Sequence, residues 1–262
     1  NGYFMCDIGR YGFHRFEKIE RISHPMVRNG KSFNVLDWDE AIKKTADSIE
    51  KSKEKTAGIV SPFHTNESNY LLGLLMKETL GYLPPITGEE ITFPTKFRIS
   101  ADRSPNLRGV NDICGDLVKD FTSIIKTRDI RGLYILDDGV DRKLDDSWKD
   151  ILAKMDFVIV QSYAMTELAK SAHIVLPGLA PFEREGTITN DKGRIQWLRP
   201  SLVTKGDSKP DWEILMLVRN ALHKESEYFA DLGEVIKKMG DQFPNYSGIS
   251  LFKIGTQGMA LT

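Results

Sequence analysis

The residues whose types and spacing could do chemistry are densest between Ser171 and Arg199, in SAHIVLPGLAPFEREGTITNDKGRIQWLR. A buried apolar strand ends there at Pro177, and Glu183, Gly186, Thr187, Thr189, Asn190, Gly193, Arg194 and Gln196 follow on a polar loop. Hydroxyl, amide and guanidinium groups at this spacing can hydrogen-bond something bound beside them. They can equally bond their own backbone and fix the strands that the loop joins. The second is the expectation for Thr189, Asn190, Gly193, Arg194 and Gln196. Asn190 should then close its own turn, and Arg194 should donate to backbone carbonyls or to Glu183 or Glu185.

The remaining chemistry is sparse. Cys6 and Cys114 lie far apart, which suits a reducing compartment and leaves no disulfide framework. Cys114 reads as a small buried hydrophobe. His14, His24, His64, His173 and His223 have no ligand spacing, so zinc is not expected, and His173 reads as a satisfied strand-edge histidine. Asp137, Asp138 and Asp141 around Gly139 read as a solvated acidic loop, since three carboxylates repel a phosphate. Thr65, Asn66 and Glu67 read as a helix cap. No Gly-x-Ser-x-Gly elbow or phosphate-cradling Walker loop occurs, which removes the common hydrolase and nucleotidase readings.

These groups need a scaffold. The 262 residues form one large or two modest domains, with 40% hydrophobic and 28% charged residues. A net charge of -1 with interspersed signs gives no footprint for nucleic acid, and no apolar run is long enough to span a bilayer. The chain begins at Asn1 without an initiator methionine and reads as a piece of a longer protein.

Residues 1–24 are aromatic and basic without helical period, an irregular or β-rich cap. Residues 25–35 read as a hairpin turning at Asn29-Gly30. Trp38, Ala41, Ile42, Thr45, Ala46 and Ile49 then keep helical spacing behind Asp37 as N-cap. Strands are expected at 57–61, 132–136, 157–161 and 174–176. Helices are expected at 66–80, 116–126, 147–154, 165–170 and 211–223, with 82–114 mostly loops. Trp38 and Trp212 should be buried anchors of the first and last core helices. The alternation predicts an α/β fold, a doubly wound, mostly parallel sheet with flanking helices.

The run from Ala172 to Gln196 resembles the "VLP…E-x-x-GT-x-TN-x-x-GR-x-Q" run of the molybdopterin-dependent oxidoreductases. It also resembles that of their pterin-free relative in the peripheral arm of NADH-quinone oxidoreductase (complex I). PMVRNGKSFNVLDWDEAIKKTADSI and PDWEIL add to the likeness, as does FPNYSGISLFKIGTQG for the complex I relative. The resemblance implies residues 1–24 as the remnant of an iron-sulfur-type cap and 25–262 as a molybdopterin-oxidoreductase-like domain of reduced size. It implies Cys6, in MCDIGRYGF, as a 4Fe-4S ligand only if upstream cysteines complete the set. A pterin is not implied: Ile8 stands where pterin enzymes have a lysine, the turn at Asp137 is acidic, and no cysteine lies between Gly81 and Ser100.

The implied function is a non-catalytic structural domain of the peripheral electron-input arm of complex I, with no autonomous activity and no cofactor of its own. The 2Fe-2S and 4Fe-4S clusters would belong to the part upstream. Its partners would be other subunits of the complex, on the cytoplasmic or mitochondrial-matrix side and peripheral to the membrane. Two alternatives stand: a catalytic-domain fragment of a molybdenum or tungsten oxidoreductase such as a formate dehydrogenase, and a pterin-free scaffold in an NAD-linked hydrogenase-type assembly.

Overall fold

The computed structural model describes residues 10–11, 13–52, 55–76, 79–82, 91–92, 98–99, 104–115, 125, 127–140, 143–223 and 228–261. Helix α1 (His14–Lys18) precedes a hairpin of β1 (Met26–Asn29) and β2 (Ser32–Val35). Helix α2 (Trp38–Ser52) starts where Glu40 N donates to Asp37 Oδ1 at 2.8 Å, which satisfies one of the orphan donors of its first turn. Then come β3 (Thr56–Val60), α3 (Asn66–Leu75), β4 (Thr79–Tyr82), the small pair β5 (Ile91–Thr92) and β6 (Arg98–Ile99), and α4 (Leu107–Cys114). The regular alternation follows as β7 (Gly132–Leu136), α5 (Asp146–Ala153), β8 (Phe157–Ser162), α6 (Glu167–Ser171) and β9 (Ile174–Pro177). Strands β10 (Gly186–Thr189) and β11 (Arg194–Leu198) form the polar hairpin. Helices α7 (Asp211–Leu222), α8 (Leu232–Gln242) and α9 (Leu251–Ile254) and strand β12 (Met259–Ala260) complete the chain.

Seven strands form the main sheet in the order β2-β1-β9-β8-β7-β3-β4. From β4 to β9 every pairing is parallel, and β1 joins β9 antiparallel. Side chains alternate faces along a strand, so each central strand feeds two cores. Leu133, Ile135, Val158 and Val160 join Trp148, Ile151 and Leu168 of α5 and α6 on one face. Tyr134, Leu136 and Ile159 join Leu71 of α3, Leu215 of α7 and Val235 of α8 on the other. Burial on both sides is why these strands are continuous apolar runs. The chain winds outward from β3 to β4 one way and from β7 through β9 the other. The carboxyl ends of β3 and β7 therefore flank the switch point, where open α/β sheets bind ligands.

Several expectations need correction. The cap at 1–24 carries the short helix α1, and residues 1–9 with Cys6 and Ile8 lie outside the described residues. Helix α3 stops at Leu75 rather than Leu80, because Thr79–Tyr82 pairs with β3 as a further parallel strand. The stretch read as loops contains α4, while the helix expected at 116–126 falls almost wholly outside the described residues. Trp38 and Trp212 are only half-buried. Ile214, Leu215, Met216 and Val218 form the buried face of α7. Among the described residues no helix is long and apolar enough to cross a membrane.

Candidate functional site

Strand β10 lies across the amino terminus of α3, and the two are joined through buried polar groups. Thr65 caps the helix by accepting from Ser68 N, which leaves the Glu67 side chain free to point at the strand. Thr187 N donates to Glu67 Oε2 at 2.9 Å and Thr187 Oγ1 to Glu67 Oε1 at 2.5 Å. Asn66 Nδ2 donates to the hydroxyls of Thr187 and Thr189, each at 3.1 Å. Thr189 N donates to Asn106 Oδ1 at 2.7 Å, and the Thr189 hydroxyl meets Tyr246 Oη at 2.9 Å. The close approach explains Gly186: a Cβ there would lie 2.5 Å from Thr65 Cγ2 and 2.9 Å from Glu67 Oε2. Burial pushes the Glu67 carboxyl above its usual range, opposed by the bonds from Thr187.

A second cluster ties the carboxyl ends of the strands together. Asp211, at the start of α7, has Oδ2 2.9 Å from Arg184 Nε and 3.7 Å from His64 Nδ1. The first is a charge contact rather than an aligned hydrogen bond. The second is too long for one. Arg184 also donates to Phe63 O at 2.8 Å and Leu179 O at 2.7 Å. Gln161 Nε2 donates to Asp211 Oδ1 at 2.8 Å and Tyr134 Oη to Gln161 Oε1 at 2.7 Å. His64 Nε2 lies 3.0 Å from Asp137 O, so the neutral ring carries its proton there. Burial, helped by the Arg184 charge, lowers the His64 pKa to about 4.

The acidic turn is not solvated at Asp137 and Asp138, contrary to expectation, and Asp141 lies outside the described residues. Asp137 and Asp138 are buried; the hydroxyls of Ser162 and Thr166 donate to Asp137 Oδ2 at 3.0 and 2.7 Å, and Val140 N donates to Asp138 Oδ1 at 3.0 Å. Gly139, at φ +68°, lets the loop press against Tyr163: a Cβ there would lie 2.3 Å from the ring. Tyr163 and Phe16, with centroids 5.8 Å apart, cover this corner, and Arg21 clamps Glu183 with bonds of 2.9 and 2.7 Å.

The loop residues singled out in the sequence are brought together in a hairpin of their own. Asn190 Oδ1 accepts from Lys192 N and Arg194 N, both at 3.0 Å, and Gly193 N donates to Asn190 O at 2.9 Å. Arg194 donates to the carbonyls of Gln257 and Gly258 at 3.0 and 2.8 Å, while Gln196 stands exposed on β11. Glu183 and Glu185 instead take Arg21 and Trp197. His173 Nδ1 accepts from Val158 N at 2.9 Å, and burial lowers its pKa. Cys114 is half-buried with its thiol pushed up to about 12 by burial, and so inert as a nucleophile at neutral pH. The sequence reading missed His64, Arg184 and Asp211; the only hint was Asp211 in PDWEIL.

A pterin dinucleotide would need free N–H groups and cations at this edge to meet its pyrophosphate. Here Asp137 N donates to Gln161 O at 3.0 Å, Val140 N to Asp138, and Thr187 N and Thr189 N to Glu67 and Asn106. The Arg184 guanidinium is held by two carbonyls and Asp211. These N–H groups and this guanidinium, being already taken, do not fit that group. Nor do any three His, Cys, Asp or Glu side chains among the described residues converge to hold a metal ion.

Residues 109–220 match the profile of the Molybdopterin oxidoreductase family. A Staphylococcus haemolyticus protein provisionally named a formate dehydrogenase is 35% identical over 130 residues, 48% of this chain and 13% of its own length. The alpha subunit of a formate dehydrogenase from Methanococcus maripaludis is 35% identical over 112 residues, 41% of this chain and 16% of that one. A partial likeness to acetylene hydratase from Pelobacter acetylenicus has a TM-score of 0.40 at 16% identity, over 51% of this chain and 18% of that chain. The chain thus spans only a small part of the relatives it matches.

Proposed function

From residues 109–220 as a molybdopterin oxidoreductase family domain, we propose that the chain serves as a pterin-free structural module of a multi-subunit electron-transfer oxidoreductase, on the pattern of the pterin-free relative in NADH-quinone oxidoreductase (complex I). The observation that carries this reading is the use of the GTIT strand: the hydroxyls and backbone N–H groups of Thr187 and Thr189 are taken by Glu67, Asn66, Asn106 and Tyr246 rather than turned to a ligand. The other polar groups described at the carboxyl edge support it, because His64, Arg184 and Asp211 are buried and hold strand ends together. Partners would be the other subunits of the assembly, which hold the domain peripheral to the membrane, while the iron-sulfur clusters would belong to the part upstream of this chain.

The names of the relatives favour a second reading, a segment of the large subunit of a molybdenum- or tungsten-dependent formate dehydrogenase. Metal analysis of the purified full-length protein separates the two. The structural reading expects iron without molybdenum or tungsten, and no formate-dependent dye reduction. Stoichiometric molybdenum or tungsten with formate turnover would replace it by the enzyme.

A further inference from the structure

Helices α2 and α7 pack side by side and leave between them an open groove of about 550 Å³. Its floor is apolar, with Trp38, Ile42 and Ala46 recurring at four-residue spacing on α2 and facing Leu217 and Ala221 of α7, and one end is lined by Lys209 and Glu213, already paired with each other at 2.8 Å. Beside that ridge, offset by one residue, runs a stripe of charge that continues past the groove: Asp39, Lys43, Asp47 and Lys51, alternating in sign once per turn. All four are exposed, and none makes an ion pair or hydrogen bond among the described residues. On the neighbouring stripe, Lys44 and Glu40 do pair, at 3.5 Å.

What occupies the groove follows from its walls and its charges. A small ligand is bound by a few convergent polar groups in a concave site; this groove is open, and its free charges spread over about 18 Å of helix, twelve residues at 1.5 Å each. An added β-strand would find no backbone partners, since the walls are helices whose N–H and C=O groups are already paired. A helix satisfies its own backbone and needs only an apolar ridge and matching charges. The stripe has a further property: reversed end to end, minus-plus-minus-plus becomes its own complement.

We infer that this groove is the interface between two copies of the chain, in which the α2 helices run antiparallel. Asp39 of one copy then faces Lys51 of the other, and Lys43 faces Asp47, so four charge pairs form about one two-fold axis. The apolar floors of the two grooves, Trp38 and Ile42 with Leu217 and Ala221, then lie against each other across that axis. Such pairs are partly exposed, so they set orientation and selectivity more than strength.

The test is a sedimentation concentration series on the full-length protein with two charge-reversed variants, Asp39→Lys/Asp47→Lys and Lys43→Asp/Lys51→Asp. Every altered position is exposed, so circular dichroism should match the parent, and melting should fall only slightly, because the charges reversed at Asp39 and Lys51 sit in the first and last turns of α2. The parent should dimerise reversibly, on the order of tenfold more weakly in 1 M than in 0.1 M salt, as the Debye length falls from about 10 to about 3 Å. Each variant alone should be monomeric, and the two mixed should form a heterodimer. A parent that stays monomeric at every concentration overturns the inference. So does a variant that associates like the parent, or a groove protected from hydrogen exchange only when a different chain is bound.

Discussion

Glu67 on the first turn of α3 and Thr187 on β10 are bonded twice, through the backbone N–H of Thr187 at 2.9 Å and its hydroxyl at 2.5 Å, with both residues fully buried. The pair joins elements 120 residues apart in sequence. Removing the hydroxyl leaves a buried carboxyl short of a donor, which typically costs about 1 to 3 kcal/mol. Thr187→Val should therefore lower the urea midpoint by that equivalent, whereas Thr187→Ser, which keeps the donor, should lose less. Equal midpoints for the valine variant and the parent would show that the carboxyl is held by other groups.

His64 makes stability depend on pH with a definite sign. Its folded pKa, about 4, lies below the unfolded value of 6.5, so the unfolded chain binds the extra proton first as pH falls. Its contribution is fully present above pH 6.5 and is lost progressively down to about pH 4, roughly 3 kcal/mol in all. Glu67 works the other way: its raised pKa penalises the folded state as pH rises above the unfolded carboxyl value, and acid relieves it. Denaturation curves between pH 7 and pH 4 should show a shallower acid loss for His64→Gln than for the parent, and a steeper one for Glu67→Gln.

Trp212 packs against the core from a half-buried position, while Leu215 beside it is wholly buried. Leu215→Ala should cost about 2 to 5 kcal/mol. Trp212→Ala should cost less than that, because the side chain is only partly buried against the core. Thermal melts of the two variants check the order, and a larger loss at Trp212 would contradict the placement of α7.

Arg194 is exposed, and its two acceptors are the carbonyls of Gln257 and Gly258. Arg194→Ala should lower stability by about 1 kcal/mol, the scale of a single net hydrogen bond. The sharper readout is local: amide exchange should speed up in Met259–Ala260, whose strand pairs with β11 at Arg194 and Ile195. Unchanged exchange there would mean that the strand pairing alone holds the tail.

Contacts made within a few residues were readable from the order of amino acids. Asp37 caps α2, Asn190 closes its own turn, and the apolar runs of β7, β8 and β9 announce strands buried on both faces. Helix α4 gave no such signal, since it contains Gly109 and Asn111 and is required by packing: a Cβ at Gly109 would lie 2.1 Å from Asn66 Oδ1 and 2.3 Å from Asn106 Oδ1. Thr79–Tyr82 follows α3 without a helix break before Gly81, yet it becomes a strand because β3 offers it an edge. His64, Asp137, Arg184 and Asp211 share no periodicity at all. Only the strand order, with its reversal between β3 and β7, brings their loops to one edge, and only burial there turns an ordinary histidine and an acidic turn into a neutral ring and a network of donors around carboxylates.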